Sequence, residues 1–167
     1  MLDAQALRRR CEDRLRQITI PEPYSLDAFC ESIAATRGRK IHRLPMNGGG
    51  GPIVGLWIAP EDQDWICYEA NTSPLHQQHI VFHELSHLLC GHSPGIEAEQ
   101  VQGSFPDLSP ALLKRVLGRS TYDQADEQEA EMLATVIFER VRQIQTRSLS
   151  GVGELASRLE SSLGDLV

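Results

Sequence analysis

His83 and His87 stand four residues apart in the stretch FHELSHLL, Phe82 to Leu89, and Glu84 directly follows the first. On a helix, positions four apart nearly superpose, so both imidazoles point the same way, one turn apart. At that spacing both can reach one Zn2+ at the roughly 2.0–2.1 Å that zinc–histidine bonds require. Glu84 lies about 100° round the helix from His83. It is off the ligand stripe but borders it, where a general base takes a proton from a metal-activated water. The plain alternative is a buried helix that carries two hydrogen-bonded histidines. Ile80, Val81, Phe82, Leu85, Leu88 and Leu89 surround the motif, and burying Glu84 there without compensation is costly. A metal centre accounts for all three polar residues together.

A zinc hydrolase uses three protein ligands and keeps a fourth position open. The chain offers Cys90, His92, Glu97, Glu99, Glu127, Glu129 and Glu131 as candidates. Cys90 is about 60° off the histidine stripe, His92 lies past the expected helix end, and Glu97 and Glu99 fall in a polar loop. In TYDQADEQEAEMLATVIFERV the apolar residues Met132, Leu133, Val136, Ile137 and Ile144 set the buried direction. On a 100° wheel Glu129 shares that sector, while Glu127 and Glu131 fall opposite and read as solvated charges. Glu129 is therefore the expected third ligand, the competing assignment being a core-facing carboxylate paired with arginine. Asp126, one turn earlier on the same side, is placed to accept a proton from a liganding imidazole and fix its tautomer. Tyr122 shares that side. With Tyr68, His79 and His92 it is a candidate to stabilise an oxyanion beside the metal, and it is the one assigned a catalytic role here. His76 and His79 read first as solvated or core histidines.

The elements that must hold these residues are legible in outline. Residues 1–20 contain a helix, with Leu2, Ala6, Leu7, Cys11, Leu15 and Ile18 at helical spacing. Ser25 caps a second helix through about Thr36, and Gly38 ends it. Three short strands follow, RKIHRLPM, PIVGLWIA and DWICYEA, the last two forming a hairpin around EDQD. NGGGG is a turn; no GK[ST] follows it, so it is no phosphate loop. Ser73-Pro74 opens the motif helix and Gly91 closes it. GHSPGIEAEQVQGSFPDLSP reads as loop and SPALLKRVLG as a short helix. A long helix spans about Tyr122 to Gln145, and residues 148–167 form a weakly helical tail. The sum is an α+β fold, a small mixed or antiparallel sheet of about three strands packed against helices, in one domain over residues 1–167.

Composition narrows the class. The chain has 167 residues, 41% hydrophobic and 23% charged, enough for a packed core. A net charge of −7 argues against a general nucleic-acid backbone binder. No apolar run reaches the 18 residues of a membrane span, and Arg8, Arg9 and Arg10 precede no apolar stretch of a secretory signal. Cys11, Cys30, Cys67 and Cys90 form no CxxC pair and read as reduced thiols, which points to a cytoplasmic protein.

HELSHLL followed by DEQEAEMLA resembles the ImmA/IrrE family of small metallopeptidases, which commonly shows HELGH, then glutamate-alanine-asparagine and, slightly later, phenylalanine-alanine. Here the counterparts are Glu129-Ala130-Glu131 and Leu133-Ala134, with Ser86 at the usual glycine. The likeness covers roughly residues 25 to 140. It implies His83, His87 and Glu129 as ligands of Zn2+, Glu84 as catalytic base, and a minimal zincin-like domain whose metal lies between a sheet edge and the active-site helix. It also implies hydrolysis of a peptide bond in a protein substrate, such as a helix-turn-helix repressor or antitoxin, in stress responses or toxin–antitoxin pairs. A second reading is a zinc-binding regulatory or toxin–antitoxin interaction protein with little or no peptidase activity. A third is a non-catalytic protein whose zinc site is closed by Cys90 or His92. The chain shows no helix-turn-helix of its own, so a DNA-binding partner acts in trans. The run Arg8, Arg9, Arg10, Arg14 and Arg16 reads either as a dock for such an acidic partner or as a solvated face.

Overall fold

In the computed structural model, residues 3–47, 55–60, 62–94, 96–97 and 122–164 are described. Helix α1 (Ala4–Leu15) starts at Asp3, whose side chain accepts from the Gln5 N–H. Helix α2 (Leu26–Arg37) starts at Ser25, which accepts from the Ala28 N–H, and stops at Gly38 in the left-handed region at φ 68°. Strands β1 (Lys40–Met46), β2 (Gly55–Ala59) and β3 (Gln63–Glu69) come next. Helix α3 (Pro74–Cys90) carries the HExxH motif; Ser73 caps it and Gly91, at φ 76°, ends it. A two-residue strand β4 (Ile96–Glu97) precedes helix α4 (Gln124–Gly164). The architecture is α+β, as composition and periodicity indicate.

The sheet is mixed and open, in the order β1-β3-β2-β4. Strands β2 and β3 pair antiparallel, with Leu56 opposite Cys67 and Trp57 opposite Ile66. Strand β1 lies parallel to β3, and β4 meets β2 in parallel at Ile58 and Ala59. Leu56, Trp57 and Ile58 are consecutive and all buried. Such a run lacks the alternation of a half-exposed strand and belongs inside the protein, with α3 packed against β2 and β3.

Helix α3 is the centre of the core. Val81, Phe82, Leu85 and Leu88 are fully buried, and each contributes roughly 1.5–3 kcal/mol relative to exposure. Phe82 meets Phe29 of α2 edge-on at 6.0 Å between ring centres. Leu133, Ala134 and Ile137 of α4, and Leu7 and Cys11 of α1, complete the same cluster. With so much apolar anchorage on either side of the motif, the helix cannot roll to expose Glu84 and His87.

One sequence expectation differs from the structure. The long helix does not end near Gln145 with a separate weak tail over 148–167; α4 runs unbroken to Gly164. Beyond the core its described side chains are exposed, with Leu149, Val152 and Leu155 all more than half accessible. Ser, Gly and Glu interleave with these apolar residues and dilute the periodic signal. The arginines of α1 are largely engaged within the chain. Arg8 pairs with Glu12 and Glu139, Arg10 and Arg14 approach Glu129, and Arg16 pairs with Asp13. Arg8, Arg10 and Arg14 thus link α1 to α4. The NGGGG turn beyond Asn47, the short helix at SPALLKRVLG, Glu99 and the side chain of Glu97 lie outside the described residues.

One buried charge ties the sheet to α2. Asp64 on β3 is inaccessible, and it accepts from the Trp57 indole at 3.0 Å and from Arg39 at 3.2 Å, with Arg37 at 3.5 Å. A buried carboxylate is tolerable when so paired, and removing it strands its partners. Asp64→Ala is expected to lower unfolding free energy by about 3 kcal/mol, read from urea midpoints; a loss under about 1 kcal/mol would contradict this account.

Candidate metal centre

The two motif histidines and one carboxylate converge. His83 Nε2 and His87 Nε2 lie 3.1 Å apart. Across from them, Glu127 places Oε2 3.3 Å from His83 Nε2 and Oε1 3.7 Å from His87 Nε2. Ligand atoms about 2.05 Å from a tetrahedral zinc are separated by roughly 3.3 Å, so this triangle of two nitrogens and a carboxylate, with one oxygen toward each nitrogen, suits one small cation. The donor set, two imidazoles and a carboxylate, is that of a zinc site with a position left open. His87 is fully buried, and burial, with His83 and His92 adding, lowers its pKa to about 3. It is therefore a neutral imidazole, the form that binds metal.

Glu129, the carboxylate expected at the metal, is not in this triangle. Arg10 holds its Oε1 at 2.7 Å, Arg14 lies at 3.6 Å, and its Oε2 faces His92 at 3.5 Å. The wheel located the buried side of α4 correctly, since the Glu129 side chain is 15% exposed and that of Glu127 42%. What it could not say is which neighbour each side meets. The buried side of α4 faces α1 and its arginines; the flank faces the histidines of α3. A carboxylate serving an open metal site would border the cleft, and the partial exposure of Glu127 is compatible with that. Glu131, also read as a solvated charge, lies 3.2 Å from His83 Nδ1 and 3.6 Å from His79 Nε2. A proton on His83 Nδ1, shared with Glu131, leaves the Nε2 lone pair aimed at the triangle.

Glu84 is 5% exposed and lies under β2. The Trp57 N–H donates to its carboxylate, while its Oε2 is buried without a hydrogen-bond partner among the described residues. Burial, reinforced by the charge of Glu127, pushes its pKa up to about 8. An orphaned carboxylate oxygen beside three convergent ligand atoms fits a site built around a cation and water, because either would satisfy it.

Gly55 makes this burial possible and was missed in the sequence. A Cβ at that position would stand 2.6 Å from Glu84 Oε1 and 2.7 Å from Ile80 Cγ2. The available signal was a glycine inside the strand PIVGLWIA, which marks close approach of another element.

Tyr122 stacks flat on His87, 3.5 Å between ring centres and 15° between planes. It lies against the face of that imidazole, and its hydroxyl is buried. The expected catalytic residue thus reaches the site chiefly as a packing partner of His87. Tyr68 packs against the core, and His76 is held at the helix start by Thr72 Oγ1 at 2.8 Å. His79 stands at the rim beside Glu131, 40% exposed by side chain. His92 lies against His87, and Asp126 faces His92 at 3.4 Å, not a ligand imidazole directly. All four cysteines are free thiols, and Cys90 lies beside His92 and Glu129, away from the triangle.

In comparison with known proteins, no family model, curated protein or solved structure matches the chain.

Two outcomes follow for the metal-stripped protein. Below about pH 6.5 the unfolded chain protonates His87 and the folded one does not until about pH 3, so stability falls with acid across that window. Glu84 keeps its proton in the folded state up to about pH 8 and loses it near 4.5 when unfolded, so stability falls as pH rises from 4.5 to 8. The opposing slopes leave a plateau between pH 4.5 and 6.5, and Glu84→Gln is expected to abolish the alkaline decline while sparing the acid one. Thermal melts in chelator across pH 3 to 8 check both limbs. Gly55→Ala is expected to cost about 1–3 kcal/mol through overpacking against Glu84 and Ile80, and an unchanged melting temperature would show that α3 does not sit so close.

Proposed function

We propose that the protein is a zinc-dependent endopeptidase, with His83, His87 and Glu127 as metal ligands and Glu84 as general base. The observation that carries this reading is the triangle of two imidazole nitrogens and a carboxylate, with edges of 3.1 to 3.7 Å, beside a buried carboxyl. The resemblance of HELSHLL and DEQEAEMLA to the ImmA/IrrE metallopeptidases supports the same chemistry, with the third-ligand role moved from Glu129 to Glu127.

Zinc held there would polarise a scissile carbonyl and lower the pKa of water toward neutrality. The chain's own residues do the rest. Glu84, largely sealed from solvent and ionised more easily beside a cation, accepts a proton from the attacking water and returns it to the departing amine. Tyr122 and Glu131 hold the planes of His87 and His83. His79, at the rim, is the accessible candidate for a second contact to the oxyanion. Among the described residues β4 covers β2 only at Ile58 and Ala59, and the rest of that strand runs past Glu84 at Gly55 and Trp57. A substrate peptide added along this edge would bring its carbonyls to the base. No described helix is long and apolar enough to cross a membrane, and we take the substrate to be a protein, such as a helix-turn-helix repressor or antitoxin.

The zinc-loaded protein incubated with a neighbouring-gene repressor is expected to give a discrete cleavage product. Glu84→Gln should keep zinc at full stoichiometry and lose turnover by at least 100-fold, the scale of general-base catalysis; wild-type rates from this variant would refute the base assignment. Stoichiometric zinc with no cleavage would favour the regulatory reading. Zinc affinity should fall most for Glu127→Ala and less for Glu129→Ala, and the reverse order would restore Glu129 as ligand.

A further inference from the structure

His92 stands behind the metal triangle, its side chain only 6% exposed. Its Nδ1 lies 2.9 Å from His87 Nδ1. His87 presents Nε2 to His83 and Glu127; with that nitrogen given to a cation, its proton sits on Nδ1, where it donates to His92 Nδ1. That leaves the His92 proton on Nε2, facing Asp126 Oδ1 at 3.4 Å and Glu129 Oε2 at 3.5 Å. Glu129 is anchored in turn by Arg10 and Arg14 of α1, and Arg14 also donates to the Leu89 carbonyl near the end of α3, at 2.7 Å. The Asp126 and Glu129 carboxylates face His92 Nε2 without a hydrogen bond to it, so among the described residues the one hydrogen bond of the His92 ring is the 2.9 Å contact with His87.

We propose that His92 is a positioning residue that fixes His87 in its Nδ1–H tautomer, with the carboxylates of Asp126 and of the Arg10–Glu129 pair facing its other nitrogen. The proposal rests on the zinc reading of His87. Outer contacts of this kind orient a ligand ring and raise its basicity. The nearest rival is a second cation site at Cys90, His92 and Glu129, whose ligand atoms lie within 4.8 Å of one another. The guanidinium of Arg10 already occupies the Glu129 carboxylate, with Arg14 close by. A metal ion there would face two like charges, which favours the positioning role.

The test compares His92→Leu with His92→Gln, whose amide oxygen can still accept from His87. Long-range 1H–15N correlation on metal-stripped protein reads the tautomer of His87, and competition with a chromophoric chelator reads zinc affinity. Wild type and His92→Gln are expected to show the Nδ1–H form, and His92→Leu a mixture. Affinity should drop about 10–100-fold in His92→Leu and be restored to within a few-fold in His92→Gln. An Nε2–H form in the wild type, or the same tautomer and affinity in all three, overturns the proposal. Should His92→Leu not fold, Glu129→Gln carries the test: it keeps the shape, removes a charge that faces His92 Nε2, and is expected to lower affinity several-fold, with no change counting against the idea. If the wild type binds no zinc, the metal reading fails, while the tautomer comparison still decides the role of His92.

Discussion

The Nε2 atoms of His83 and His87 lie 3.1 Å apart, and the Glu127 carboxylate turns one oxygen toward each, at 3.3 and 3.7 Å. Lone pairs facing each other in a half-buried space repel unless a proton or a cation lies among them. The rest of the structure can be understood as what holds that arrangement. Val81, Phe82, Leu85 and Leu88 lock α3 into the core, and Leu133 and Ile137 lock α4 beside it. The apolar packing fixes the two backbones, and the backbones leave the polar side chains little freedom to separate. The hydrophobic effect, which has no directional preference of its own, thereby sets a directional polar site.

Around the triangle each histidine has a defined neighbour. His83 has Glu131, His87 has His92, and His92 has Asp126 and Glu129, the latter tied to Arg10. The acidic residues at the start of α4 divide into two sets by helical phase. Glu127 and Glu131, four apart, serve His83, while Asp126 and Glu129, three apart, serve His92. Two helices crossing at one place thus supply both the inner contacts and the outer ones. Gly55 completes the arrangement from the sheet side, since only a missing side chain lets β2 lie so close to Glu84.

Much of this was legible in the residues. The caps Ser25, Ser73, Gly38 and Gly91 fall where local chemistry puts them, and the strand runs and the motif helix follow from apolar patterning. The spacing of His83 and His87 alone brings their rings together. The partner of a helix face was not legible. Periodicity reports how far a side chain lies from solvent, and Glu129 is indeed the more buried glutamate, but it ends on arginines of α1, 119 residues away in the chain. Glu127 looked solvated because a site open to water is half exposed. Helix α4 beyond Gln145 was underestimated because its glycines and serines weaken the pattern, although they do not break the helix.

The central claim concerns what the triangle holds, and X-ray absorption at the zinc edge of the metal-loaded protein addresses it directly. The account predicts one zinc per chain, surrounded only by nitrogen and oxygen at about 2.0–2.1 Å, two of them imidazole. A sulfur neighbour at about 2.3 Å would place the ion at Cys90 instead and contradict the account, as would failure to bind zinc at all.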